Sequence, residues 1–372
     1  MRKHLIFILV GILLIVSASV PVFARPQFTE AATSGITLTG SVESSFPNTM
    51  TFKVQAESDA PLKLLRLHYI VERQNVAQVV SESWPLFTPG TSVSTQWVWD
   101  MRKSPLPLGT RVEYWWTARD DAGNTAEGNH ARVEFADRRY EWQSISIEPV
   151  TLYWYKGNTD FANALMSAAQ KGLQKIENDI GIMSQGEIRI YIYGSTNELR
   201  AAQLFAPDWQ GGVTFGGFDV IAIGVSLDQL SFGLSATPHE LAHWAIGRFL
   251  YNSYGAGLPT WLDEGLAMYV QGEENSGTLE AAKQQNKLIS VRTLSSPFSA
   301  LSEQAYISYA ESYSIVDFML ITFGKGKMVQ LLEVFRGGST YDGALQQVYG
   351  FDQDGLDKLW RESIGVSTGN GG

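Results

Sequence analysis

The chain contains no cysteine. Disulfides, thiolate metal sites and lipidated cysteines are therefore excluded, and stability rests on core packing and bound ions. Histidine is nearly as scarce: the five are His4, His68, His130, His239 and His243. Positive charge is the minority, with 28 Lys and Arg against 38 Asp and Glu, a net charge of -10. That balance argues against nucleic acid or an anionic membrane as the main partner. Internal repeats and low-complexity tracts are lacking, and beyond the N-terminal segment no apolar run reads as a membrane span.

What is present suits a globular protein. With 372 residues and a hydrophobic fraction of 44%, two domains and a sizeable core are expected. Residues 1–24 combine Arg2 and Lys3 with an apolar stretch and Val22-Phe23-Ala24. This is the layout of a signal peptide cleaved after Ala24, which predicts a secreted or extracytoplasmic protein. An uncleaved N-terminal anchor is the alternative; after cleavage no stable membrane insertion is expected. Residues 367–372 read as a flexible tail.

Between residues 35 and 138 the pattern is β. Short alternating runs at 36–40, 49–55, 64–72, 95–99, 111–118 and 131–135 are separated by turn clusters such as Asp120-Asp121-Ala122-Gly123-Asn124. Such spacing predicts an antiparallel sandwich. Residues 109–124 resemble the penultimate strand and turn of immunoglobulin-like or fibronectin-type domains. Trp97, Trp99, Trp115 and Trp116 are sandwich core on this reading, with a carbohydrate-binding face as the competing one.

From about residue 140 the period changes. Strands are predicted at 150–155, 187–193, 213–215 and 220–225, with helices at 160–176 and 197–203. After Tyr306 the chain reads as helical at 307–323, 327–335, 341–348 and 353–363, with glycines 324, 337, 338 and 350 placed as C-terminal caps.

Between these lies His239-Glu240-Leu241-Ala242-His243. Residues four apart share a helix face, so both imidazoles can meet one cation. Glu240 then lies where a general base for a metal-held water is needed. Thr237 and Pro238 read as the cap and first turn of this helix, and Leu241, Ala242, Trp244, Ala245, Ile246, Phe249 and Leu250 as its buried face. A catalytic zinc takes three protein ligands and keeps one open position. No third histidine follows, so a carboxylate must complete the set. Asp263 and Glu264 in Trp261-Leu262-Asp263-Glu264-Gly265-Leu266-Ala267 are nearest, with Glu273 and Glu274 further on. Glu264 is preferred because Gly265 and Ala267 would let its helix pack closely on the first. Asp263 could then bond a ligating imidazole from behind.

The order of a sheet, an HExxH helix, a Trp-Leu-Asp-Glu-Gly helix and a helical bundle resembles the peptidase MA-like family of gluzincins over about residues 145–366. The resemblance implies a multidomain chain: an all-β sandwich, then an α+β zincin-like metallopeptidase domain whose sheet and zinc helix run to about 275, with a helical C-terminal subdomain after it. It implies Zn2+ on His239, His243 and Glu264, and Glu240 as base and acid. It also implies an edge strand along the cleft, at residues 212–215 or 219–225, that binds substrate backbone. The Gly-x-Met-Glu-Asn segment that aminopeptidases of this clan carry upstream of the zinc helix is missing. Gly272-Glu273-Glu274-Asn275 lies downstream and does not replace it, which favours an endopeptidase. A protein or peptide is thus the expected substrate. With no histidine left to steady the oxyanion, Tyr309 is the expected donor, ahead of Tyr306 and Tyr313. Two other classes compete: an inactive metal-binding protein acting as a surface binding or scaffold module, and a carbohydrate binder led by the β-region. The sequence leaves the oligomeric state open.

Overall fold

The computed structural model describes residues 35–73, 77–183, 186–206, 210–251, 257–272, 276–299 and 301–366. The expected signal peptide, the tail, and the pair Glu273 and Glu274 lie outside the described residues.

The first part is a sandwich of alternating strands. β1 (Ile36–Ser45), β2 (Thr49–Ser58), β3 (Leu62–Val71), β4 (Ser81–Ser83), β5 (Ser92–Asp100), β6 (Thr110–Asp120), β7 (Thr125–Glu127) and β8 (Ala131–Phe135) follow in order. One antiparallel sheet runs β1-β2-β5, the other β4-β3-β6-β7 with β8 also paired to β6. Inward residues such as Ile36, Leu38, Phe52, Val54, Leu65, Leu67 and Val112 form the core between them, as period-two alternation requires. Three of the four tryptophans behave as core. Trp99 and Trp116 are buried, and Trp97 packs inward on Phe52 and Tyr69. Trp115 is buried on the outer face, its ring stacked between those of His68 and His130.

The second part is built on a mixed sheet. β9 (Gln143–Ile147), β10 (Val150–Trp154), β11 (Ile188–Tyr193), β12 (Gly212–Phe215) and β13 (Val220–Gly224) lie in the order β12-β13-β11-β10-β9. β10, β11 and β13 run parallel, with antiparallel strands at both edges. Helices α1 (Thr159–Lys175), α2 (Thr196–Arg200), α3 (Leu230–Leu250), α4 (Thr260–Gln271), α5 (Ser276–Gln284), α6 (Val291–Leu294), α7 (Ser302–Phe323), α8 (Lys325–Arg336), α9 (Tyr341–Tyr349) and α10 (Gln353–Ser363) complete it. β11 and β13 are buried at every position, because both faces of the sheet are covered. One face packs under α1, α3 and α4 in the largest core. The other carries Tyr191, Tyr193, Val220 and Ala222 against Leu108 and Phe46 of the sandwich. Polar groups close that seam: Arg189 donates to the Gly109 carbonyl at 2.6 Å, and the Tyr193 hydroxyl to Asp137 at 3.0 Å. Gly109 is in the left-handed region, and a Cβ there would lie 2.9 Å from the Tyr191 hydroxyl.

Two local expectations are overturned. α3 begins at Leu230, so Thr237 and Pro238 sit inside it rather than at its start. Thr237 does not cap; its hydroxyl donates back to the Gly233 carbonyl at 2.7 Å. Pro238 has no N–H to offer the preceding turn, and its ring instead faces α1 at Gly172, where a Cβ would come within 2.8 Å of it. Secondly, Gly265 serves a different neighbour from the one expected: a Cβ there would lie 2.4 Å from the Ser312 carbonyl oxygen and 2.6 Å from Val316 on α7. The small residue brings α4 onto α7, not onto α3.

Candidate functional site

α3 and α4 meet with one polar cluster between otherwise apolar faces. Along α3, Leu241, Ala242, Trp244, Ala245 and Ile246 are buried, while α4 buries Trp261, Leu262, Leu266 and Ala267. His239 and His243, one turn apart, bring their Nε2 atoms to 3.2 Å of each other. Glu264 Oε2 is 3.5 Å from each of those nitrogens. The three side chains are only 15%, 18% and 20% exposed. Among the described residues they are the one group of histidines and carboxylates whose ligand atoms gather closely enough for a single metal ion. Asp263 stands behind His243, its Oδ1 3.3 Å from Nδ1. The Nδ1 of His239 is buried without such a partner.

The field at this point favours positive charge. Burial opposes a charged His243, but the carboxylates of Asp263 and Glu264 outweigh it and hold the imidazole well above its ordinary pKa. Burial likewise works against a charged Glu264, yet His243 and then His239 keep its carboxyl well below the usual range. A metal ion meets the same demand. Tetrahedral coordination at about 2.0–2.1 Å by imidazole and carboxylate needs donor atoms ~3.3 Å apart, and the observed separations of 3.2 and 3.5 Å fit. Glu264 Oε2, buried with no hydrogen-bond donor, is a ligand atom left over for such an ion.

Glu240 is buried, and its carboxylate lies against Gly212 and Thr214 of β12 while lining the same cavity as His243. The Thr214 hydroxyl reaches its Oε2 at 2.7 Å. β12 is the edge strand, whereas β13 lies inside the sheet. The alternative edge at residues 219–225 is thereby ruled out. Gly211 O accepts from Gly224 N at 2.9 Å, in register with Gly212 opposite Ile223. Antiparallel alternation then turns the main-chain N–H and C=O groups of Gly212 and Thr214 to the free edge. The turn after β12 is tied to α3 by Asp219, which accepts from Trp244 Nε1 and Arg248 Nη1, both at 2.8 Å.

Of the three tyrosines, Tyr309 lies in the field of the cluster. Burial raises its phenol pKa, with Glu264 and then Glu240 adding to the rise, and its ring meets Phe298 edge-on at 5.2 Å. Tyr306 is 64% exposed, and Tyr313 stacks on Tyr269. Beside His243 a cavity of about 470 Å³ opens, lined by Ile246, Gly247, Leu250, Tyr251 and Leu258. Sequence reasoning missed Thr214 and Asp219: neither belongs to a motif, and the fold alone brings them to α3.

Comparison with known proteins adds a family. The family model described as the Peptidase MA superfamily matches residues 168–366. No curated protein matches the chain. Among solved structures, the M1 zinc metallopeptidase from Deinococcus radiodurans shares 11% identity, covering 85% of this chain and 90% of its own, with a TM-score of 0.37. Legionella pneumophila aminopeptidase A in complex with aspartic acid shares 10% identity over 84% of this chain and 47% of its own, with a TM-score of 0.36. Likenesses this faint carry no argument about activity.

Proposed function

The chain belongs to the Peptidase MA superfamily, and we propose that this metallopeptidase is a zinc-dependent endopeptidase with His239, His243 and Glu264 as metal ligands and Glu240 as general base. The convergence of three ligand atoms at 3.2 to 3.5 Å carries the reading. Zinc, when bound there, supplies Lewis acidity, polarising the scissile carbonyl and lowering the pKa of water towards about 7.

The remaining work falls to the chain's own residues. Glu240 takes the proton of the attacking water and passes it to the leaving amine, as a carboxylate beside the reacting centre can do in both directions. The free edge of β12 offers the Gly212 and Thr214 main chain to an extended substrate, which adds itself as a strand. Tyr309 donates its hydroxyl to the oxyanion; its raised pKa keeps that proton in place. Asp263 holds the His243 ring by its far nitrogen.

One observation supports an endopeptidase over an aminopeptidase: the upstream Gly-x-Met-Glu-Asn segment is missing. The basic and apolar character of residues 1–24 supports export, so substrate would be met outside the cytoplasm.

The test is metal content and casein hydrolysis of the mature chain beside Glu240→Gln. The wild type should carry about one zinc and hydrolyse casein. Glu240→Gln should keep the metal and lose at least ~10²-fold in rate, the lower range for a general base. Undiminished hydrolysis by Glu240→Gln would remove the mechanism, and a metal-free active enzyme would remove the site.

A further inference from the structure

The base and the strand expected to hold substrate are joined through one side chain. Thr214 Oγ1 lies 2.7 Å from Glu240 Oε2 and 2.9 Å from the Glu240 carbonyl oxygen. A hydroxyl has one proton to give, and the charged carboxylate is the stronger acceptor. Among the described residues no other donor reaches this carboxylate. The second oxygen sits over Gly212, where a Cβ would come within 2.5 Å of Oε1 and 3.0 Å of the carboxyl carbon. Two alternate residues of β12 thus shape the place of one carboxylate, Thr214 by a bond and Gly212 by leaving room.

We propose that Thr214 is a positioning residue for Glu240: its hydroxyl fixes Oε2 and thereby leaves Oε1, lodged over Gly212, as the oxygen that handles the proton. The proposal rests on the reading of Glu240 as general base. A glutamate has rotatable bonds enough to swing its carboxylate out of reach, and a misplacement of about 1 Å suffices to slow a reaction strongly. Because the main chain of Thr214 also faces the free edge, a peptide pairing with β12 would bear on the strand that carries this bond.

Thr214→Val keeps the branched shape suited to a strand and removes only the hydroxyl, while Thr214→Ser restores it. Thr214→Val should lower kcat by about tenfold or more with KM changed by less than about twofold, and Thr214→Ser should recover most of the rate. In the Glu240→Gln background, Thr214→Val should add no further loss, since its effect runs through that carboxylate. Crystal structures of the zinc-loaded wild type and Thr214→Val should show Glu240 leaving its position in the variant. The proposal is overturned by a Thr214→Val kcat within twofold of wild type, by a serine variant as slow as the valine, or by an unmoved carboxylate. If Glu240→Gln retains full activity, the base reading fails instead. The crystal comparison decides the role of Thr214 even then, or if casein is not cleaved.

Discussion

At the scale of single residues, Glu311 is the most exacting group outside the site. It is fully buried on α7, and both its oxygens lie within 3.1 Å of the Ile289 amide nitrogen. Burial pushes its pKa from 4.5 up to about 8, against the Ile289 amide and the charge of Arg361, with Asp357 adding to the rise. A carboxyl with a raised folded pKa favours the folded state while it is protonated. That contribution is complete below about pH 4.5 and is lost as pH rises through about 8. The full swing is at most on the order of 5 kcal/mol. Glu311→Gln, which stays neutral, should therefore gain stability relative to wild type as pH rises from 5 to 8.5. Urea midpoints of the pair measure this, and a gap that stays constant with pH would refute it.

Elements set how much of the chain could be read in advance. Strands with one face in the sandwich core announce themselves by alternation, and the histidine pair is legible because helix geometry dictates the spacing. Histidine scarcity narrowed the third ligand to a carboxylate, but the reason for choosing Glu264, a close α3–α4 approach at Gly265, is not the contact that glycine makes. β9 escaped notice because it is a five-residue edge strand of mostly exposed residues whose alternation is confined to Ser144-Ile145-Ser146-Ile147. The start of α3 was misplaced because Pro238 reads as a first-turn residue, yet the fold uses its ring as a packing surface against Gly172. Thr214 carries no local signal, since its meaning comes from a helix 26 positions away.

The contact between α4 and α7 is set at the same scale. Gly265→Ala would drive a methyl into the Ser312 carbonyl, so α4 must shift and take Glu264 with it. Overpacking of this kind costs about 1–3 kcal/mol. The variant should both melt lower and bind zinc more weakly. Gly277→Ala on α5 makes a control: a Cβ there meets nothing within 4 Å, and the change should be neutral or stabilise by up to ~1 kcal/mol. Equal metal affinity in Gly265→Ala and wild type, measured by competition with a chromophoric chelator, would show that the α4–α7 contact does not place the ligand.

Over the whole molecule, the sandwich is one wall of the second sheet. The face of that sheet opposite α3 carries Tyr153, Tyr191 and Tyr193 with Trp142, and it is closed by Leu108, Phe46, Gly109 and Asp137. Separating the two parts would expose this aromatic face and leave the buried Arg189 guanidinium without the Gly109 carbonyl. The unmatched polar group and the newly wetted rings both penalise the separated state. The two parts should therefore unfold together, in one calorimetric transition. Arg189→Leu, which removes the seam's central donor, should lower that transition and begin to split it. A wild-type scan with two well-separated peaks would mean that the sandwich is an independent passenger. A single peak would mean that the strand beside the candidate site draws its rigidity from both cores, since β12 pairs with β13 along one edge and packs its own Val213 and Phe215 into the seam cluster.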